Sequence, residues 1–429
     1  MAVLQACMPT VATFGLLAEQ LFHHICQGLI PGGRVDFVID QYAVQSIKGQ
    51  ERTRRAASGM LNVKINGPEQ KLPNWKKFLA VSKNKSAFVK FLLSEWILPK
   101  YAARLCDCRL MVCHNEACYQ LSSSDGVAVS FSPVPELHCH QEEADTRLFL
   151  HASHAAASGA SVVIIRSPDT DVAIIGCHLA EKIPAQLLMH TGTKQRRRYI
   201  NLTAVADRLG SDVCAALPGM HAFTGCDTTS AFSGRGKKTA FKLLFEPDMS
   251  EGMAMLGEEF TISDQLKSLC GKFVCAMYGK PTVANVNELR YQIFRTNPSQ
   301  SSGLPPTEDA LFYHMCRANY QAALWKRALQ TDVLPGPVGH GWETEGGEED
   351  HQEEGKPPLV VKWSSRPAAP QALLELISCG CSTGCASQRC RCKKSNLPCT
   401  AACRCSNCSN RLEDNTSQEE ADIGAEEAQ

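Results

Sequence analysis

Apolar and polar positions in about the first 340 residues follow two alternating patterns. Short runs rich in β-branched residues, such as VDFVID at 35–40 and SVVIIRS at 161–167, are typical of buried strands. Longer stretches with helical spacing of apolar residues, such as NWKKFLAVSKNKSAFVKFLLSEWI at 74–97, lie between them. Strands that alternate with helices predict an α/β fold, with a mainly parallel sheet covered by helices on both faces.

The two ends of the chain differ from this body. The opening stretch MAVLQACMPTVATFGLLAEQLF is apolar but has no basic segment, which indicates a buried helix rather than a signal peptide. After residue 342 the sequence becomes acidic and glycine-rich, with one strand-like run, LVVKW, before the cysteines begin. We therefore predict an α/β body over 1–342, a flexible acidic linker over 343–372, a cysteine-rich module over 373–410 and a disordered acidic tail over 411–429.

Composition limits where a nucleic-acid surface could lie. The 429 residues carry 44 Lys and Arg against 44 Asp and Glu, so a surface that binds a polyanion must be local. No apolar run is long enough to span a bilayer, which predicts no membrane partner. Nine of the 22 cysteines fall between Cys379 and Cys408, and the others have no disulfide-like spacing. Without an export signal, this distribution indicates free thiols in the body and a metal cluster near the end.

The cysteine-rich segment has too few apolar residues to build a core of its own. Metal binding would have to supply its folding free energy, and a structural zinc takes four thiolate or imidazole ligands. Three zinc ions would need three of the nine sulfurs to bridge two metals, which the repeated C-x-C pairs suit. Two zinc ions would leave one sulfur spare, and a disulfide knot is the remaining alternative. The predicted zinc ligands are Cys379, Cys381, Cys385, Cys390, Cys392, Cys399, Cys403, Cys405 and Cys408.

The spacing of these nine cysteines resembles the CXC domain of the tesmin-like family of DNA-binding proteins. The resemblance covers residues 379–410 and implies three structural zinc ions and contact with DNA. The tyrosine that the family inserts into the minor groove corresponds here to Arg389, and an arginine can also enter a narrow minor groove. The basic residues expected to face phosphate are Arg389, Arg391, Lys393, Lys394 and Arg404.

Carboxylates recur in the body near predicted strand ends and helix starts. The acids in question are Asp40 after the first strand, Glu143 and Asp145 in EEAD, Asp169 and Asp171 in SPDTD, and Asp227 in GCD. Positions i and i+2 of a strand point the same way, so Asp169 and Asp171 are expected to share a face. Acids gathered at one sheet edge suit Mg²⁺ or Mn²⁺, and two such ions can promote phosphodiester hydrolysis. The alternative is that they are helix caps and solvated loop residues.

The order EEAD, SPDTD and GCDTTSAFSGRGKKTAFKLL resembles the flap endonuclease (structure-specific 5′-nuclease) family, a branch of the PIN-like fold. That family has an acidic helix start, a strand ending in D-x-D, and a G-C/S-D turn that leads into a helix-hairpin-helix. The resemblance implies two Mg²⁺ or Mn²⁺ ions held by Asp40, Glu143, Asp145, Asp169, Asp171 and Asp227. The family's first strand and its acid have no counterpart, so we expect that strand to be missing from this chain.

The same resemblance implies contacts with a nucleic-acid backbone. The contacts are Gly234, Gly236, Lys237 and Lys238 in the hairpin, and Lys48, Arg54 and Arg55 in the segment IKGQERTRR, which resembles the family's basic helical gateway. The two glycines would let the backbone approach DNA closely, and amides at the next helix start would receive a phosphate. The alternative is an ordinary glycine-containing loop before a buried helix.

One further cluster carries a weaker signal. CDCRLMVCHNEAC at 106–118 has four cysteines and a histidine in a strand-turn-strand pattern. This pattern favours buried free thiols over a zinc site, because the spacing fits no established zinc motif.

Together these patterns predict a nuclear, DNA-binding protein, with RNA left open as a target and no small-molecule substrate. The first hypothesis is a metal-dependent structure-specific nuclease with a zinc-bound CXC module. The second is a non-catalytic DNA-binding adaptor that acts through the CXC module. The chain also resembles proteins of mobile elements that combine such a body with a C-terminal CXC cluster. The residues that carry this resemblance are LPPTEDALFYHMCRANYQAALWKRAL and GHGWE.

Overall fold

The computed structural model describes residues 11–41, 46–48, 62–192, 196–296, 303–345, 358–366, 377–382, 384–400 and 403–411. Its contacts divide the chain into two compact units. The first unit comprises residues 1–273 and 312–362, and the second comprises residues 274–311 and 363–429. No helix in these described ranges combines the length and the apolarity needed to cross a membrane.

The first unit opens with helices packed on a four-stranded sheet. The helices are α1 (Phe14–Cys26), α2 (Trp75–Leu79) and α3 (Ser82–Trp96), followed by a 3₁₀ helix at Pro99–Leu105. The strands are β1 (Arg34–Phe37), β2 (Arg109–His114), β3 (Ala117–Ser122) and β4 (Ser130–Pro133), adjacent in that order. β1 pairs parallel with β2, whereas β2–β3 and β3–β4 are antiparallel. The predicted N-terminal buried helix corresponds to α1, although residues 1–10 lie outside the described ranges.

β2 is buried on both faces of this sheet, which explains its continuous apolar run, whereas the edge strand β4 is exposed. Leu110 and Val112 pack into a large core with α1 and α3. Met111 and Cys113 point to the opposite face and pack with residues of α4 (Ala144–Ala157). Because successive side chains of a strand alternate between faces, apolar residues are needed at every position here. Helices therefore pack against both sides of β2.

The chain continues through α4 into a second sheet. This sheet contains β5 (Val162–Arg166), β6 (Gln186–Thr191) and β7 (Arg198–Asn201) in that order. β5 and β6 are parallel and are connected by α5 (Thr170–Leu179), while β6 and β7 are antiparallel. The α/β class is confirmed, but a mainly parallel sheet is not. In the described part of the chain, two strand pairs are parallel and four are antiparallel.

A series of helices follows the second sheet along the chain. Its members are α6 (Leu202–Leu209), α7 (Ser211–Phe223), α8 (Lys237–Leu243), α9 (Pro247–Met255), α10 (Asp264–Met277), α11 (Val286–Thr296) and α12 (Glu308–Lys326). Then β8 (Trp342–Thr344) pairs antiparallel with β9 (Leu359–Val361), the strand-like run LVVKW. The second unit contains α11 and the cysteine-rich module, whose short helix α13 spans Arg391–Lys394. Most of the predicted linker and tail lies outside the described residues.

Candidate functional site

Three of the predicted carboxylates meet at the start of α4. Glu143 is the N-cap residue of this helix, and Asp145 lies in its first turn. Asp40 follows β1, and its Oδ1 accepts a hydrogen bond from the Ala144 backbone N–H at 3.0 Å. This bond satisfies one of the amides that every helix leaves free at its N-terminus. The carboxyl end of β1 and the start of α4 are thereby tied together.

Asp169 and Asp171 occupy a different local setting from the predicted one. β5 ends at Arg166, and Asp169 is the N-cap residue of α5, with its Oδ1 accepting from the Asp171 backbone N–H at 3.0 Å. The prediction that the two acids lie on a strand end is wrong, because Asp169 is a strong N-cap residue and starts a helix. Asp171 Oδ1 pairs with His221 Nε2 at 2.8 Å, which holds the pKa of Asp171 below its usual range despite burial.

Asp227 is held in a tight turn after α7. Cys226 and Thr229 exchange backbone hydrogen bonds across Asp227 and Thr228. Just before this turn, Gly225 has φ +107°, and a Cβ at that position would lie 3.0 Å from Ala231 Cα. Glycine is therefore required here on both conformational and steric grounds.

Lys48 lies among these acids. Its Nζ is 3.2 Å from Glu143 Oε2 and 3.8 Å from Asp227 Oδ2. Burial alone would lower the pKa of Lys48, but the charges of Glu143, Asp145 and Asp227 outweigh burial and raise it. Lys48, predicted as a phosphate contact, is thus the internal counter-ion of the acids in this structure.

We use the name acidic cluster for Asp40, Glu143, Asp145, Asp169, Asp171 and Asp227. Burial raises the pKa of Glu143 to about 7, with the charges of Glu142 and Asp171 acting in the same direction. Burial also raises the pKa of Asp145 to about 8, and the charges of Glu143, Asp169 and Asp40 add to the effect. The pKa of Asp169 is raised by partial burial and by the charges of Asp171 and Asp227. Every member of the acidic cluster therefore interacts electrostatically with another member.

Glu143 supplies evidence that the acidic cluster suits a cation. Its side chain is only 8% exposed, and neither carboxylate oxygen accepts a hydrogen bond from any described residue. Lys48 Nζ lies close to one of these oxygens without a well-aligned hydrogen bond. A buried carboxylate without hydrogen-bond donors is costly, and a hard cation with oxygen ligands would relieve that cost.

The predicted nucleic-acid contacts of the hairpin divide into inward and outward groups. Lys237 Nζ donates to His221 O at 2.8 Å and to Thr224 Oγ1 at 3.2 Å, so this lysine braces the end of α7. Lys238 is exposed, and the open surface at Gly234 and Gly236 has no atom within 4 Å of an added Cβ. The predicted contacts Arg54 and Arg55 lie outside the described residues.

The cysteine-rich module brings its sulfurs into overlapping groups of four. In each group all four Sγ atoms lie within 4.8 Å of one another: Cys379, Cys385, Cys399 and Cys405; Cys379, Cys390, Cys392 and Cys399; and Cys379, Cys381, Cys385 and Cys390. Of the two remaining cysteines, Cys403 has its Sγ 3.5 Å from Cys392 Sγ, and Cys408 interacts with Cys385, Cys399 and Cys405. Several cysteines belong to more than one group, as a thiolate that bridges two zinc ions must.

The spacing of these sulfurs fits zinc. Four sulfurs at about 2.3 Å from a tetrahedral zinc are about 3.8 Å apart. Cys379 Sγ lies 3.6 Å from Cys385 Sγ and 3.8 Å from Cys399 Sγ. No cysteine in the described ranges forms a disulfide, so the disulfide knot is not the arrangement adopted here. The module could therefore hold zinc, as predicted.

Basic side chains lie on the surface of the cysteine-rich module. Arg389, Arg391, Lys394 and Arg404 are exposed. Lys393 is half-buried, and its Nζ donates to Ala386 O at 2.7 Å. Four of the five predicted phosphate-facing side chains are therefore accessible to a ligand.

Comparison of the chain with models of protein families and with curated proteins finds no match. The geometry of the two sites is thus the basis for assigning a function.

Sequence reasoning missed His221, although this residue fixes one member of the acidic cluster. His221 is buried near the end of α7 and stands 50 residues from Asp171 along the chain. No local motif marks the pair, because their contact depends on how α5 packs against α7.

Replacing Gly225 with alanine is expected to destabilise the first unit by about 2–4 kcal/mol, because positive φ and the contact with Ala231 both oppose a Cβ. Denaturant unfolding followed by tryptophan fluorescence measures the change. Gly236→Ala is the matched control, since Gly236 has φ −93° and open space around it. Equal stability of the two variants would contradict the proposed constraint on the turn.

Proposed function

We propose that the first unit is a metal-dependent phosphodiesterase with a flap endonuclease-like variant of the PIN-like fold. The observation that carries this proposal is the convergence of six carboxylates from four separate segments into one electrostatically coupled cluster. Glu143 and Asp171 are buried, whereas Asp169 and Asp227 are exposed, so the cluster reaches from the interior to the surface. Isolated helix caps would have no reason to lie together in this way, and mutual repulsion is unfavourable without cations. Five of the six acids follow β1 or lie at the start of α4 and α5, where ligands of α/β proteins commonly bind, and Asp227 lies in the turn after α7.

The chemistry would be phosphodiester hydrolysis. Two divalent ions bound about 4 Å apart would stabilise the attacking and leaving oxygens of the phosphodiester. Glu143 and Asp145 are partly protonated near neutral pH, so cation binding would displace protons from them. Asp171 is kept ionised and oriented by His221, and Asp169 is oriented by its N-cap bond. Lys48 would have to give up its ion pairs with Glu143 and Asp227, which leaves it available to a substrate phosphate.

The cysteine-rich module would supply DNA binding. We infer three zinc ions, because the overlapping groups of cysteines share members as bridging ligands would. The exposed arginines and Lys394 would contact phosphates, and Arg389 would be suited to a narrow minor groove. A nuclear location follows as part of this proposal.

A second candidate function is a DNA-binding adaptor without catalysis. The observation that favours it is the position of Lys48, whose ammonium group already neutralises Glu143 and Asp227. Among the described residues, the groups of three or more donor atoms within 4.8 Å of one another are built from cysteines and a histidine, and none from the acidic cluster. In this alternative Lys48 would be a permanent counter-ion of the acids.

Cleavage of labelled flap and single-stranded DNA with Mg²⁺ or Mn²⁺ tests the proposal. The Asp169→Ala/Asp171→Ala variant is expected to lose about a thousandfold in rate, because metal ligation contributes several kcal/mol to transition-state stabilisation. Asp169→Asn, which keeps an N-cap acceptor, separates loss of charge from loss of folding. Asp207→Ala/Asp248→Ala is the matched control, since both aspartates are exposed and lie outside the acidic cluster.

Two outcomes of the cleavage assay have distinct meanings. Metal-dependent cleavage that both acidic-cluster variants lose and the control retains would support the phosphodiesterase. An absence of cleavage, with zinc-dependent DNA binding intact, would leave the adaptor. A parallel series with single-stranded RNA identifies which nucleic acid is the substrate.

A further inference from the structure

A third group of metal-binding side chains lies in the first unit, on the α4 side of the four-stranded sheet. Cys113 Sγ, Cys118 Sγ and His151 Nε2 all lie within 4.8 Å of one another, and all three residues are buried. The distance from Cys113 Sγ to His151 Nε2 is 3.1 Å. A tetrahedral zinc with sulfur and nitrogen ligands would separate such atoms by about 3.5–3.8 Å, which small side-chain shifts would reach.

The fold places the three side chains together by simple means. Cys113 and Cys118 are directly opposite each other in the β2–β3 hairpin, so their side chains lie on the same face. That face packs against α4, which carries His151. The arrangement was not evident in CDCRLMVCHNEAC, because the histidine of that motif is His114 and the one that meets the thiols is His151.

The second nitrogen of His151 is oriented by a chain of polar contacts. His151 Nδ1 lies 2.6 Å from Asp36 Oδ2. Asp36 is fixed in turn by two hydrogen bonds of 2.7 Å from the Arg34 guanidinium. When Nδ1 carries the proton and donates a hydrogen bond to Asp36, Nε2 is unprotonated and its lone pair faces the two sulfurs. Histidine ligands of zinc are commonly oriented by a carboxylate in this way.

Charge indicates a third thiolate. Cys139 is fully buried in the same apolar cluster as Cys113 and Cys118. Arg147 is also fully buried; its Nη1 donates to Asn115 O, but its Nε and Nη2 have no hydrogen-bond partner among the described residues. A zinc ion with three thiolates and one imidazole carries a net charge of about −1, which one buried guanidinium would balance.

We propose that Cys113, Cys118 and His151 hold a buried structural zinc ion that fastens the β2–β3 hairpin to α4, with Cys139, whose sulfur lies outside this group of three, moving in as the fourth ligand. A nucleophilic role for Cys113 is excluded by access, because its side chain is 0% exposed and no substrate could reach the sulfur.

Zinc content of the full-length chain tests this site. Cys113→Ser/Cys118→Ser is expected to lose about one zinc ion per chain, measured by elemental analysis after dialysis. Cys270→Ser is the matched control, since Cys270 is equally buried but belongs to no candidate metal group. This control is expected to retain all its zinc, so the ions of the cysteine-rich module cancel in the comparison.

X-ray absorption of zinc gives a second test. The proposed site predicts a nitrogen ligand at about 2.0 Å in addition to sulfur ligands at about 2.3 Å, and His151→Cys should keep the zinc but replace that nitrogen by sulfur. Because the zinc ions of the cysteine-rich module have sulfur ligands only, the nitrogen is detected as the difference between the two proteins, and identical spectra at equal zinc content would overturn the proposal. So would unchanged zinc in the folded double variant, or a Cys113–Cys118 disulfide in protein purified under reducing conditions.

Discussion

Replacing Cys379 with serine is expected to remove about two zinc ions per chain, because a bridging thiolate binds two metals and Cys379 belongs to all three overlapping groups of four cysteines. A serine oxygen is a poor substitute for a bridging thiolate, so each group would lose a ligand. Structural zinc contributes about 10–16 kcal/mol of apparent binding free energy in small zinc domains. The module has only a short helix and few apolar side chains, so its fold should be lost together with the metal.

Elemental analysis gives the zinc content, and hydrogen exchange over residues 377–411 reports the fold of the module. Cys381→Ser is the matched control, because Cys381 belongs to only one of the three groups. It should lose about one ion, since the other two groups keep all four sulfurs. Equal losses from the two variants would argue against shared ligands and for separate zinc sites.

DNA binding should follow zinc content if the module is the DNA-binding element. Arg389, Arg391 and Lys394 lie on the surface of the module, and the buried cysteines hold that surface together. Loss of that scaffold would disperse the basic groups and weaken their joint contact with phosphates.

The sequence pattern located the strands and helices that carry the site. VDFVID and SVVIIRS correspond to β1 and β5, and EEAD marks the start of α4. These signals are local, because strand alternation and helix capping depend on neighbouring residues. Strand pairing is not local. β1 pairs parallel with β2 and β5 with β6, whereas all the other strand pairs among the described residues are antiparallel. That is why the strands could be predicted but a mainly parallel sheet was not confirmed.

The same limit applies to the candidate sites. The acids and the nine cysteines could be selected from their order and spacing, since each motif is compact in sequence. The inward orientation of Lys48, the support of Asp171 by His221 and the meeting of His151 with Cys113 all depend on packing between distant segments. No local sequence motif marks these residues, and their roles depend on tertiary contacts.

Without Mg²⁺ or Mn²⁺, the first unit is expected to lose stability as the pH rises from about 5 to about 8.5. The pKa of Glu143 is raised from 4.5 to about 7, and that of Asp145 from 3.8 to about 8. A carboxyl whose folded-state pKa is raised is protonated in the folded state below that pKa, whereas the unfolded chain has already released the proton. The stabilisation is complete below the unfolded pKa and is lost as pH rises through the folded pKa.

The expected loss is on the order of 5 kcal/mol across this range. At 1.36 kcal/mol per unit, the pKa of Glu143 alone corresponds to about 3 kcal/mol. The two effects do not simply add, because the charge of Glu143 is part of what raises the pKa of Asp145. Divalent metal should oppose the loss at high pH, restoring about 2.7 kcal/mol at a concentration one hundred times its Kd.

Denaturant unfolding followed by tryptophan fluorescence measures this linkage. Four of the five tryptophans lie in the first unit: Trp75, Trp96, Trp325 and Trp342. The buffer should contain no chelator, so that zinc remains bound to the cysteines. Asp145→Asn is the matched variant, because the amide keeps the shape of the side chain but does not titrate.

At about pH 5 the two proteins should be similar, and at about pH 8.5 Asp145→Asn should be the more stable one in metal-free buffer. The difference between them therefore isolates the acidic cluster. Added Mn²⁺ should stabilise the unmodified protein more than the variant, because only the former offers a sixth carboxylate. Stability that rises with pH, or equal responses to Mn²⁺, would show that Lys48 already neutralises the acids and that the cluster has no place for a metal.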